Sequence, residues 1–225
     1  MPKNKKQKVC AKIEKSEYCV DSYKEKTKNK SEFLVLDEFP QRILQIQHLL
    51  SEDEFNLKTI FSHKTDVNIP VPDKPISLVK SNQLIQKLVA LLKPKALQLI
   101  NDANLVKMGI SLMIPKIEDG NNFGVAIQQE ILLVVAIVEL KTEQQLEQFV
   151  EYYRKRAELV AKVAKYPHII DYRNAVQELD RKFHLYLCLL AVDLRNHYIS
   201  LHDLFIKNLN KIRNPRNSDD HQIVC

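Results

Sequence analysis

Glycine is almost missing from this chain: three in 225 residues, where ordinary usage would supply about 15. Turns with positive φ, phosphate-cradling loops and dinucleotide fingerprints all draw on glycine. A nucleotide-binding α/β fold therefore lacks its raw material, and the chain is expected to consist of few, long elements. Two of the three glycines, Gly120 and Gly124, fall within one short stretch.

The prolines divide the rest into four helical stretches. The first is expected over about Ile13 to Leu50, kinked or interrupted at Pro40. Residues 51–80 hold Pro70, Pro72 and Pro75 and read as an extended connector. The second helix is expected from about Ser81 to Ile114, capped by Ser81 or Asn82 and bent at Pro94. The third covers about Val125 to Tyr166 and stops at Pro167. The fourth covers about Ile169 to Arg213 and stops at Pro215. Apolar residues recur along the fourth at three- and four-residue steps (Val176, Leu179, Phe183, Tyr186, Leu190, Leu194, Tyr198, Leu201, Phe205, Leu209, Ile212). Short links make the last three helices antiparallel neighbours. The expected fold is all-α, a long antiparallel four-helix bundle over residues 13–213, with a basic extension (1–12) before it and a flexible tail (214–225) after it.

Charge is unevenly placed. The formal net charge is +6, and residues 1–30 carry ten lysines against four acids, which accounts for all of it. Residues 31–225 balance, so the excess reads as a solvated end rather than a nucleic-acid surface. The run Lys3-Asn4-Lys5-Lys6-Gln7-Lys8 also fits a nuclear address of low specificity. Cys10, Cys19, Cys188 and Cys225 are scattered without a CxxC pair, which suits a reducing compartment, cytoplasmic or nuclear. The longest unbroken apolar run, Ile131 to Val138, is eight residues, short of the ~20 that cross a bilayer. No membrane partner is expected. That run makes the third helix apolar around its whole circumference for two turns, which calls for cover by another part of the chain or by a second copy.

No catalytic constellation emerges. None of the seven histidines follows a glutamate by three residues, as a di-iron bundle needs, and His197 and His202 do not share a helix face. Neither Cys188 nor Cys225 sits in a nucleophile context, so no enzyme, metal or cofactor is expected. Between the second and third helices lies Pro115-Lys116-Ile117-Glu118-Asp119-Gly120-Asn121-Asn122-Phe123-Gly124, rich in residues that tolerate turn backbone and longer than an interhelix turn requires.

The stretch IPKIEDGNNFGVAIQ resembles the activation loop of the 11S proteasome activator family. DEFPQRIL, NIPVPD, KSNQ, NLVKMGISLMIP, AKYPHIIDYR and LRNHYISLHDLFIKNLNKIRNPR resemble the same family in the same order. The resemblance implies a heptameric ring of four-helix subunits that docks on the 20S proteasome core particle and opens its gate without ATP. It implies that Lys116, Ile117, Glu118, Asp119, Gly120, Asn121, Asn122, Phe123 and Gly124 form the activation loop, with Asn121 at the position most tied to gate opening. It further implies a core-binding tail ending in Gln222, Ile223, Val224 and Cys225. Lys211, Arg213 and Arg216 would lie on the core-facing surface, where the helix dipole also favours cations. Two departures from the mammalian pattern stand out: a terminal Cys225 in place of tyrosine, and only about Lys74 to Lys80 where those relatives carry a longer insert. The alternative reading, from another class, is a helical oligomeric scaffold whose basic arm binds nucleic acid or an acidic surface.

Overall fold

The computed structural model describes residues 19–56 and 79–216. The basic extension, most of the connector (including NIPVPD) and the tail from Asn217 onward lie outside the described residues. Four helices and one 3-10 turn make up the fold: α1 (19–50), the turn Asp53–Phe55, α2 (Gln83–Met113), α3 (Phe123–Lys165) and α4 (Ile170–Arg213). No strand occurs among the described residues. The fold is the expected all-α four-helix bundle, and at ~1.5 Å per residue α3 and α4 are each about 65 Å long.

Pro40 does not break α1. The helix instead widens into a π turn at Leu34–Glu38, where the Phe39 N–H reaches back five residues to the Leu34 carbonyl. One extra residue in the coil accommodates a ring that has no N–H to donate and would crowd the preceding turn. α2 likewise continues through Pro94. Asn82 caps it: its side-chain Oδ1 accepts from the Ile85 N–H at 3.2 Å.

The contacts group into two compact units. One comprises Met1–Pro40, Asn101–Ile137 and Ser200–Cys225. Leu34, Val35 and Phe39 of α1 are buried there, with Val106 and Ile110 of α2, Ile131 and Val135 of α3, and Leu201 and Phe205 of α4. Gly109 of α2 lies against Ser31 of α1 so closely that a Cβ would stand 1.9 Å from the serine Oγ. Ser31 is itself fully buried, its hydroxyl donating to the Lys28 carbonyl of its own helix.

The other unit comprises Gln41–Ile100 and Val138–Ile199. Its apolar core takes Ile46 and Leu49 from α1, Ile85, Leu88, Leu92 and Leu99 from α2, Phe149 and Tyr152 from α3, and much of α4. Tyr152 and Phe183 stack with ring centroids 4.1 Å apart. At its centre is a buried carboxylate, Asp180. It accepts from the Tyr152 hydroxyl at 2.8 Å, the Arg156 Nε at 3.1 Å and the Asn82 amide at 3.1 Å. Burial, together with the Asp180 charge, pushes the Tyr152 phenol pKa well up, keeping it a donor. The helix cap of α2 is thereby tied to α3 and α4. His184 and Cys188, one turn apart on α4, both point at the Glu54 carbonyl and fix the 3-10 turn.

Along α3, Ile131, Val135 and Val138 are buried, whereas Leu133, Ile137 and Leu140 remain exposed. An eighteen-residue window of this helix is apolar enough by length and composition to cross a bilayer, with only 28% of it buried.

Removing one member of a buried charged pair strands the other. Asp180→Ala should therefore lower stability to denaturant by about 3–5 kcal/mol, read from the urea midpoint, with Asp180→Asn costing less because the amide oxygen still accepts.

Candidate functional site: the interhelix loop and the root of the tail

The loop between α2 and α3 is fixed at both ends by helix chemistry. The Gln128 side chain, fully buried on α3, donates through Nε2 to the Ile212 carbonyl at 2.8 Å and to the Met113 carbonyl at 3.3 Å. Met113 ends α2 and Ile212 lies in the last turn of α4. One amide thus satisfies carbonyls that helix ends leave without partners.

On the far side, α3 begins two residues earlier than its expected start at Val125. Asn122 serves as its cap, its carbonyl accepting the Ala126 N–H at 2.9 Å. The Asn121 Oδ1 accepts the Phe123 N–H at 3.0 Å, an Asx turn that leads the chain into the helix. Phe123 and Gly124, expected in the loop, therefore form the first turn of α3. Among the described residues only Gly120 has positive φ, at 126°. A side chain there would be strained, and nothing crowds the space around it.

Gly124 is different. A Cβ at this position would stand 2.2 Å from the Pro215 carbonyl oxygen and 2.7 Å from its Cα. The start of α3 and the chain leaving α4 meet backbone to backbone. Arg216, the next residue, turns its guanidinium onto the loop. Nη1 lies 3.0 Å from the Glu118 carboxylate, while Nη2 is 2.8 Å from the Asn122 Oδ1 and 3.4 Å from the Glu118 carbonyl. Lys116 through Phe123 are all exposed, with Ile117 fully so.

The other anticipated residues are placed as follows. Arg213 pairs with Glu32 of α1, which raises the guanidinium pKa further. Lys211 is half-buried in the last turn of α4. Gln222, Ile223, Val224 and Cys225 lie outside the described residues. Asp203 forms a surface ion pair with Lys207. Burial pushes the Cys188 thiol up to about 11, which makes it a poor nucleophile at neutral pH. Among the described residues no three His, Cys, Asp or Glu side chains converge on a common point. Sequence reasoning missed Gln128, whose only signal is a polar residue at a position where the helical period calls for an apolar one, and the engagement of Arg216 with the loop.

Comparison with known proteins identifies the family and the fold. Residues 14–74 match the family model for the N-terminal region of proteasome activator PA28, and residues 78–222 match that for its C-terminal region. The human proteasome activator complex subunit 3 is 37% identical, over 89% of this chain and 92% of the relative. The 11S subunit of the Plasmodium falciparum proteasome, PA28, superposes with a TM-score of 0.78 at 31% identity, covering 91% of this chain and 95% of that one. The Trypanosoma brucei activator PA26, solved in complex with the yeast 20S proteasome, superposes at 0.66 over 92% of this chain and all of that one; its 18% identity speaks for the fold alone.

Gly124→Ala should force Pro215 away. Hydrogen exchange at Asn214 and Arg216 should accelerate several-fold and the melting temperature should fall, whereas Gly120→Ala should leave exchange at those two amides unchanged.

Proposed function

This chain is a member of the proteasome activator PA28 family, and from that premise we propose that it is an ATP-independent activator of the 20S proteasome, working as a sevenfold ring. The observation that carries the reading is the pairing at one end of α3: an exposed loop of fixed shape, and beside it the point from which the tail departs. In this reading the tail, through Gln222 to Cys225, docks on the core particle. An apolar tip with a terminal carboxylate suits a groove offering a lysine or backbone amides. Seven such tails bind together, so a weak single contact suffices.

The loop then acts on the gate. Asn121 and Asn122 present short polar side chains that bond to backbone, which fits them to impose a conformation on another chain. The α3 frame below them resists the reaction force, because Gln128 and Gly124 lock it to α2 and α4. No bond of the substrate is broken by this chain. Its contribution is mechanical, and the human relative is likewise named an activator. The apolar stripe Leu133, Ile137 and Leu140 would face the neighbouring copy in the ring.

Mixing the protein with 20S core and a fluorogenic peptide should give strong stimulation without ATP, and native mass spectrometry should give seven subunits. Asn121→Tyr should abolish stimulation while leaving core binding and ring mass intact. Deleting Gln222 to Cys225 should remove binding to the core. A monomer that leaves latent core particles closed would refute the reading.

A further inference from the structure

The three cations at the end of α4 read from sequence as one basic surface, yet in the structure Arg216 faces its own chain. Its two terminal nitrogens meet three oxygens of the loop: the Glu118 carboxylate, the Glu118 carbonyl and the Asn122 side-chain oxygen. Asn122 closes the circle, its Nδ2 lying 3.4 Å from the same Glu118 carbonyl. Glu118 and Asn122 bracket Asp119, Gly120 and Asn121, the exposed tip of the loop. The neighbouring Pro215 is wedged against Gly124, so the base of Arg216 cannot shift without disturbing the first turn of α3.

We infer that Arg216 is a positioning residue for gate opening, a clasp that acts through Glu118 and Asn122 to hold the loop tip in one shape. Arg216 follows directly on Pro215, so the close contact of Pro215 with Gly124 sets the position of the guanidinium and, through it, the loop. This inference rests on the activator reading above. The planar fork matters as much as the charge: bonding the carboxylate through one terminal nitrogen and the loop's carbonyl and amide oxygens through the other needs a guanidinium, and a lysine ammonium cannot reproduce that geometry.

Two measurements on the full chain decide it. Hydrogen exchange of the free protein reads the clasp without any core particle. Arg216→Ala should accelerate exchange across residues 117–122 at least fivefold and leave the interiors of α2 and α3 unchanged, and Arg216→Lys should behave nearly the same. Unchanged loop exchange in Arg216→Ala would overturn the inference. Titration against 20S core then reads the function: Arg216→Ala and Arg216→Lys should lower the plateau of peptide hydrolysis at least fivefold while the half-saturating concentration moves less than twofold. An unchanged plateau with a raised half-saturating concentration would mean that Arg216 meets the core directly, and would also overturn it. Glu118→Gln, altering the other partner, guards against a misfolded arginine variant. It should loosen the loop in the same way, and the double variant Arg216→Ala with Glu118→Gln should lose no more than Arg216→Ala alone, whereas additive losses would refute the clasp. Failure of the wild-type protein to stimulate the core would remove the activator reading and leave the exchange result to decide the clasp.

Discussion

Backbone lies on backbone where α3 begins and α4 ends, and the rest of the functional end is organised by that contact. Gly124 lets the first turn of α3 settle directly on Pro215. A methyl group there would stand 2.2 Å from the Pro215 carbonyl oxygen, so the two segments would have to move apart. The loop would then lose its footing and Arg216 its reach to Glu118 and Asn122. Gln128, one turn further along α3, completes the joint by taking the carbonyls of Met113 and Ile212. An unpaired buried polar group costs on the order of 1–3 kcal/mol. Gln128 satisfies two carbonyls while its own Oε1 stays buried without a partner among the described residues. The gain is therefore one of placement, tying α3 to the ends of α2 and α4. The outcome is a loop that is exposed along its length and rigid at its base.

Asp180 does comparable work in the other unit by different means. Tyr152, Arg156 and Asn82 surround the carboxylate, and their hydrogen bonds offset the desolvation that burying a charge entails. An apolar cluster of similar volume would hold three helices together equally well, but it would not specify their register. The Asn82 amide can reach Asp180 only when the first turn of α2 stands at one height against α4. The network therefore sets where α2 starts, and the connector joins there.

Sequence reading recovered the helices because proline positions and apolar periodicity are local signals. The start of α3 moved because the Asn121 side chain accepts the Phe123 N–H and the Asn122 carbonyl accepts the Ala126 N–H, which brings Phe123 and Gly124 into the helix before the apolar pattern begins. The π turn before Pro40 was not legible, because a proline in a helical pattern looks the same whether the helix stops or widens. Asp180 and Arg156 were missed for a related reason. Charged residues within an amphipathic pattern read as solvated, and only the tertiary fold brings positions 24 residues apart in sequence together inside. Arg216 and Glu118 are 98 residues apart, and no periodicity links them. The glycine count, by contrast, was informative to the end: one glycine turns the loop with positive φ, and the other two permit close approach of segments distant in the same chain.

The outer face of α3 poses the remaining physical question, because by composition the helix is apolar enough to enter a bilayer. Its burial pattern separates the two environments. A lone spanning helix meets lipid on every side. Here Ile131, Val135 and Val138 already pack inside their own chain, and the exposed Leu133, Ile137 and Leu140 recur at steps of four and three on one stripe. Lys141 and Glu143 follow that stripe directly and are exposed. An apolar strip of limited width, ending in charge, suits burial against protein rather than immersion in lipid. At about 1.5–3 kcal/mol for each large side chain fully buried, three such residues in each subunit form a substantial contact, and closing a ring repeats it at every interface.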